Sequence, residues 1–449
     1  MIRSRSLILG LFMRRLRPGA DATTVRVEAV LFAIAACFVF AGALTLSLAL
    51  EQQVLWKHLY APTAWALLVA ASLIILQRTI PGHDPYILPV IGLLAGWGLV
   101  LIDRLAPNFL ARQLTWLAIS LIALAGTGSF RPILGFLNRY RYTWLTLGIL
   151  MLAATLLFGV NPSGQGAALW LKAPLAGGIY FQPSELLKLL LVAFLASYFA
   201  DRGRLIAFQG ASSARRWIAF LAPMGVMWFF CMVLLVWQRD LGAASLFFGA
   251  FIVLIYLATG DRRYIAAGFM LLLLAGAIGY FAYDVVDLRV DTWIDPWPEA
   301  DSRGFQIVQS LYAVAAGGVF GQGAGQGYPT YIPVVHSDFA FAAVAEEWGL
   351  VGVIAVIGCF VVLAYRGIKI AGKTKDSFKM YLAAGITLLF SIQSILIMAG
   401  VTKLLPLTGI TLPFISYGGS SLLVSLIMVG LLLNISANVV ADDGQQPSV

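Results

Sequence analysis

In a chain that is mostly apolar, carboxylates, cations and hydroxyls gather at four places. The longest is 295–347, DPWPEADSRGFQIVQSLYAVAAGGVFGQGAGQGYPTYIPVVHSDFAFAAVAEE, which carries Asp295, Glu299, Asp301, His336, Asp338 and Glu347. The others are YFQPSELLK at 180–188, WQRDLG at 237–242 and KLLPLTGITLPFISYGGSS at 403–421. Carboxylates in such places can take a proton from a nucleophile or hold a hard cation, while lysine and arginine can carry an anionic group. Polar chemistry inside apolar sequence is by default a functional-site hypothesis.

Each place also has a plainer reading. Pro183 suits the first turn of a helix, and Ser184 and Glu185 suit its N-terminus. Glu185 and Lys188 are three apart on one helix face, so the pair either marks a pathway or simply holds helices together. Arg239 and Asp240, taken alone, read as a solvated turn. The prolines, glycines and hydroxyls of 403–421 predict irregular backbone at membrane depth, tolerable only where protein or a water-filled cavity surrounds it. All four places lie toward one side, which predicts convergence on one cavity opening outward. GQGAGQG at 321–327 resembles a phosphate-cradling loop, but it follows no strand and reads instead as a helix end with a tight turn. His336 has no second histidine near it, His58 and His83 being in other loops. It therefore reads as a hydrogen-bonded structural residue and not as a zinc ligand.

The elements that must position these residues follow from composition. Of 449 residues, 60% are hydrophobic and 11% charged, whereas a soluble domain carries about 25% charged residues. This excludes a large soluble core and predicts an all-α polytopic membrane protein. Runs long enough to span, or nearly so, fall at 28–49, 62–79, 86–102, 112–128, 143–159, 185–200, 217–236, 241–259, 264–283, 339–365, 380–400 and 418–436, about twelve helices. With both termini inside, inner segments hold 21 of the 30 lysines and arginines and outer loops hold 8, with Lys188 inside a span. That asymmetry follows the positive-inside rule and places one large loop, 285–338, on the outer side. It also accounts for the net charge of +9 without nucleic acid. The inner clusters Arg202, Arg204, Arg215 and Arg216, and then Arg366 to Lys379, read as anchors at anionic headgroups. Cys37, Cys231 and Cys359 lie in apolar runs without metal-ligand spacing and read as small core hydrophobes. Six arginines precede the first apolar run, which has no obvious cleavage site and reads as a retained anchor. Nothing in the sequence marks a nucleotide or haem site.

Five segments in order resemble the SEDS family (shape, elongation, division and sporulation proteins, including RodA, FtsW and SpoVE). They are FQPSELLK at 181–188, QRDLG at 238–242, DPWPEADSRGFQIVQSLYAVAAGG at 295–318, HSDFAFAAVAEEWGLVG at 336–352 and PLTGITLPFISYGGSSL at 406–422. The resemblance implies a basic cytoplasmic tail at 1–27, two extra N-terminal helices at 28–80, a ten-helix core at 81–436 and a cytoplasmic tail at 437–449. It implies a peptidoglycan glycosyltransferase of the bacterial cytoplasmic membrane that polymerises lipid II on the outer face. The partners would be a class B penicillin-binding protein and other elongation or division proteins. Lys403 followed by LLPLTGIT is more similar to the RodA side. The sequence departs from the family pattern at Arg239, where proline is usual, and at Ala168 and Leu169, where an arginine pair is common. Val334 stands where glutamate is common, and 325–333 is short and lacks a lysine.

By resemblance Asp301 occupies the position of the family's essential loop aspartate. It is the candidate general base, with Asp295 and Glu299 able to raise its pKa through like charge. Its alternative role is ligation of a divalent cation, Mg²⁺ or Mn²⁺. Lys188, Arg239, Arg112, Lys403 and Arg303 are the candidate partners of a leaving pyrophosphate. Glu185, Asp240, Gln306, His336, Asp338, Glu347, Ser416 and Ser420 complete a substrate-binding or structural polar network. A lipid-precursor flippase would fit the broken spans but wants its site at the midplane, and a scaffold without activity would tolerate substitution of the acidic loop. The orientation is testable with Cys37, Cys231 and Cys359 replaced by serine. A cysteine introduced at Glu299 should react with an impermeant maleimide added to intact cells and one at Lys375 should not; the reverse pattern would overturn the topology.

Overall fold

The structure, a computed structural model, describes residues 22–162, 167–172, 180–207 and 214–443. The arginine-rich stretch before residue 22, the side chains of Arg202, Arg204, Arg215 and Arg216, and the tail after 443 lie outside the described residues. Among the described residues fifteen α-helices account for the fold: α1 Ala22–Glu51, α2 Trp56–Thr79, α3 Ile87–Leu105, α4 Leu110–Ser129, α5 Ile133–Arg139, α6 Arg141–Phe158, α7 Pro183–Ala207 and α8 Ala214–Trp237. They continue with α9 Leu241–Thr259, α10 Arg263–Ala282, α11 Asp284–Ile294, α12 Phe305–Gly317, α13 Ala340–Lys373, α14 Ser377–Val401 and α15 Gly419–Asp443. The described strands are a two-residue antiparallel pair, Leu171–Lys172 with Tyr180–Phe181. Eleven described helices are long and apolar enough to cross a membrane, and Met224–Trp237 within α8 is a shorter apolar helix. These are the twelve apolar runs, and the protein is an all-α multi-pass membrane protein.

In hydrocarbon, helices associate by close packing and interhelical hydrogen bonds rather than by exclusion of water. α4 and α15 show this directly. A Cβ on Gly430 would lie 2.1 Å from Thr127 Oγ1 and 2.6 Å from the Leu124 carbonyl, so only glycine admits the neighbouring helix. The Asn434 amide then donates to the Thr127 and Phe130 carbonyls at 3.1 and 3.3 Å. Buried polar pairs tie α2 to α3, and α1 to α2 and the turn that follows it. His58 Nδ1 meets Asp103 Oδ2 at 2.7 Å, and Glu28 takes bonds from Gln77 at 2.7 Å and His83 at 3.0 Å. His58 therefore lies within α2, not in a loop as expected, because its ring is a packing partner of Asp103. Of the cysteines, Cys231 is buried, Cys359 partly so, and Cys37 is exposed on α1; all three are free.

α13 is two helices joined at a break. Gly349 has φ 63° and ψ −161°, which leaves the carbonyls before it and the amides after it without helical partners. The glycine-rich segment after α12 supplies those partners. Gln322 and Gly323 donate to the Glu346 and Glu347 carbonyls at 2.9 and 3.0 Å, and the Leu350 and Val351 amides donate to the Gly318 and Val319 carbonyls at 3.0 and 3.1 Å. Positive φ at Gly321, Gly323 and Gly325 lets the segment run this close. It does end a helix and turn tightly, as expected, and it also repairs the break. Gly349→Ala should cost at least about 1–3 kcal/mol, because its Cβ would lie 2.3 Å from the Gly321 nitrogen. Gly358→Ala, with nothing within 4 Å, should not destabilise. Equal thermal unfolding temperatures for the two variants in detergent would refute this account of the break.

Candidate active site

One cavity of about 1230 Å³ opens where the polar segments meet. Its wall takes residues from the start of α4, the 180–188 segment, the 237–243 turn, α11, the 334–338 loop, α14, and both 408–411 and 417–421. The expected convergence is present.

Asp240 is built into the wall by its own turn. Its Oδ1 caps α9 by accepting the Ala243 amide at 3.1 Å, while Oδ2 accepts the Ser184 hydroxyl at 3.0 Å. The solvated-turn reading holds only for Arg239, which is exposed. Arg239 has φ 60°, a value that proline, fixed near −65°, cannot adopt; the departure from the family pattern is therefore tied to backbone shape. Lys188 is buried and pairs with Glu185 at 2.5 Å. Its ammonium also donates to Gln393 Oε1 at 3.1 Å, and the Gln393 amide donates to the Thr411 carbonyl at 2.8 Å. The ion pair predicted from spacing is thus one link of a chain crossing from α7 to α14.

Asp338 lines the cavity with its Oδ1 accepting the Ser337 hydroxyl at 2.8 Å. Burial pushes the carboxyl groups of both Asp240 and Asp338 above the usual carboxylate range. His336 also lines it, but makes no side-chain hydrogen bond among the described residues. Its ring instead packs against Phe109 at 5.2 Å and Tyr417 at 5.7 Å between centroids, and burial lowers its pKa. Arg112 sits on the rim over the Phe109 ring at 5.6 Å. Ser420 accepts the Gln182 amide at 3.0 Å. Ser416 is buried and accepts the Leu412 amide at 3.0 Å, which fixes the 412–416 turn.

Other expected residues lie off the cavity wall. Asp301 is exposed in the turn between Trp297–Glu299 and α12. Arg303 reaches Glu299 at 3.7 Å, and Gln306 donates to the Pro333 carbonyl at 3.5 Å. Lys403 donates to the Ile294 carbonyl at 3.3 Å and so ties the loop to the 403 turn. Glu347 is paired with Arg104 at 3.2 Å. Arg104 also holds the Gly327 carbonyl at 2.9 Å, which assigns this pair to the repaired break. Two cavity residues were missed in the sequence. Gln393 carried a signal, a lone amide in the apolar run LLFSIQSILI. Arg289 was hidden among the aspartates of YDVVDLRVD, which read as loop but fold as α11.

The model of the cell cycle protein family of FtsW, RodA and SpoVE matches residues 87–440. The peptidoglycan glycosyltransferase RodA of Mycobacterium tuberculosis is 36% identical over 423 residues, 91% of this chain and 90% of that protein. The probable peptidoglycan glycosyltransferase FtsW of Trichlorobacter lovleyi is 35% identical over 337 residues, 74% of this chain and 84% of that one. Among solved structures, a chain from work on coordination of polymerization and crosslinking by a peptidoglycan synthase complex superposes with TM-score 0.66 at 26% identity. It covers 81% of this chain and 99% of its own. The crystal structure of the rod shape determining protein RodA of Thermus thermophilus gives 0.57 at 25% identity, covering 81% and 98%.

The raised Asp240 value has a thermodynamic consequence. Above about pH 4, the ordinary carboxylate value, the unfolded chain releases a proton that the folded state retains, so stability falls as pH rises toward the folded pKa. Asp240→Asn should flatten that fall and be the more stable at neutral pH. Unfolding temperatures of the two proteins in detergent that stay parallel across pH would contradict it.

Proposed function

The chain belongs to the FtsW, RodA and SpoVE family of cell cycle proteins, and from that membership we propose how it works as a peptidoglycan glycosyltransferase. The substrate is lipid II. A sugar hydroxyl of one molecule attacks the anomeric carbon of another; the new C–O bond forms with inversion, and the bond to the lipid pyrophosphate breaks. The hydroxyl proton needs a base, and the departing pyrophosphate needs positive charge.

One observation carries this reading: four segments far apart in sequence close on a single cavity that holds both carboxylates and cations. A flippase site would lie between two gates near the midplane. Here Asp240, Asp338 and the N-terminal ends of α7, α9 and α15 face the cavity at one end of the bundle, the end that the charge count assigns to the outside. Asp301 belongs to the loop over that end and is the proposed base, reaching the acceptor hydroxyl once substrate is seated; positioned proton transfer contributes roughly 10²–10⁴-fold. Among the described residues no three metal-ligating side chains cluster. A Mg²⁺ or Mn²⁺ ion would take the Asp301 carboxylate and complete its shell from pyrophosphate and water, as Mg²⁺ commonly does, and would supply charge to the leaving group. α10 exposes almost its whole length, with only Gly268 buried, which suits a wall of the groove for lipid tails. Crosslinking falls to a class B penicillin-binding protein bound alongside, with other elongation or division proteins. Both termini lie in the cytoplasm of the bacterium.

The test is polymerisation of lipid II in detergent by the chain with its penicillin-binding partner. Native protein should make glycan polymer, and Asp301→Asn should lose about 10²-fold or more in rate. Undiminished polymer from the variant would remove Asp301 from the reaction, and lipid II translocation without polymer from native protein would favour a flippase. Loss of polymer on chelation, restored by Mg²⁺ or Mn²⁺, would support the cation.

A further inference from the structure

We infer that the Arg289 guanidinium, seated over Gly409 beside Asp338, is the group that grips the pyrophosphate of the lipid-linked donor. The inference rests on the glycosyltransferase reading and identifies which cation of the site does the work. Arg289 lines the cavity from α11. A Cβ built on Gly409 would lie 3.2 Å from Arg289 Nη2 and 3.8 Å from Asp338 Oδ2. The bare backbone at 409, held at φ 71°, thus leaves the room that Nη2 takes in the wall.

The other cations are already committed or stand apart. Lys188 is neutralised by Glu185 at 2.5 Å and bonded to Gln393 at 3.1 Å. Arg303 and Lys403 bind Glu299 and the Ile294 carbonyl outside the cavity wall. Arg112 and Arg239 are exposed at its rim. Arg289 alone among these is half-buried in the wall without a carboxylate within 4 Å among the described residues. Asp338 and Asp240 act on it only at longer range, while burial opposes its charge. A desolvated guanidinium without a contact partner is costly until an anion meets it. Its planar fork matches two phosphate oxygens, which a lysine cannot do. Asp338, held by Ser337 at 2.8 Å, attracts the guanidinium from beyond contact distance and so acts as a positioning residue.

The experiment measures binding directly, so that it does not depend on turnover. A polyprenyl pyrophosphate and the monophosphate of the same chain length are titrated into the native complex in detergent, and into Arg289→Gln, Arg289→Lys and Gly409→Ala. Native protein should prefer the pyrophosphate. Arg289→Gln should lose roughly tenfold or more of that preference, Arg289→Lys should keep part of it, and Gly409→Ala, which displaces the fork, should fall between native and Arg289→Gln. A preference unchanged in Arg289→Gln, or equal loss of both ligands in a variant that unfolds at the native temperature, would overturn the inference. If Arg289→Gln fails to fold, Gly409→Ala decides alone, and an unaltered preference there counts against it. Absence of polymer from native protein would instead sink the parent reading, whatever the titration gives.

Discussion

A peptide group inside hydrocarbon has no water to bond, so each must find its partner within the protein. This constraint governs where the chain can be irregular and therefore where it can have a site. The break at Gly349 is possible because 318–323 offers two amides and two carbonyls at matching height. The 403–421 stretch is possible because it bonds both to itself and to the 334–338 loop. There the Leu412 amide bonds the Ser416 hydroxyl, and the Tyr417 amide bonds the His336 carbonyl at 2.8 Å. Once satisfied, these segments stop behaving as defects. The second of them becomes part of the wall that gives the cavity its shape.

Charge inside the bundle is handled in the same way. Glu185 with Lys188, Arg104 with Glu347, His58 with Asp103 and Glu28 with His83 each bring a carboxylate to a basic side chain. Removing one member of a buried pair costs more than the pair contributes, because it strands the other. Where such a pair joins two segments, as Arg104 with Glu347 does, it specifies which of them sit together more than it adds stability. Asp240, Asp338 and Arg289 differ. They line the cavity without contact pairing to one another, in a wall where burial works against the ionised form of all three. Poised charge of this kind has something to gain only from a ligand.

Much of this was legible in the residues. Span positions follow from apolar runs that the bilayer forces into helices, and Glu185 with Lys188 follows from helical spacing. What was not legible depends on tertiary placement. Asp240 looked like a surface turn because turn chemistry is the same in water and in a cavity wall; only the proximity of Ser184, across 56 residues, distinguishes them. His336 looked like a hydrogen-bonding histidine because its actual partners, Phe109 and Tyr417, are apolar faces contributed from far along the chain. Arg289 was masked by neighbouring aspartates that orient away from the cavity once α11 forms, as Asp291 does in meeting Tyr280 at 3.1 Å.

The N-terminal helix pair has a consequence for biogenesis. Its buried partners are close in sequence: His58 finds Asp103 after 45 residues, and Glu28 finds His83 after 55. Chains emerge from the ribosome at about 5–20 residues per second, and earlier units generally fold first. These two pairs can therefore close within seconds of synthesis, long before the last cavity segment at 417–421 exists. The N-terminal segment is thus an early raft, with Arg104 left over to receive Glu347. The rest of the machine is assembled against it, helix by helix, from a surface that is already settled in the bilayer.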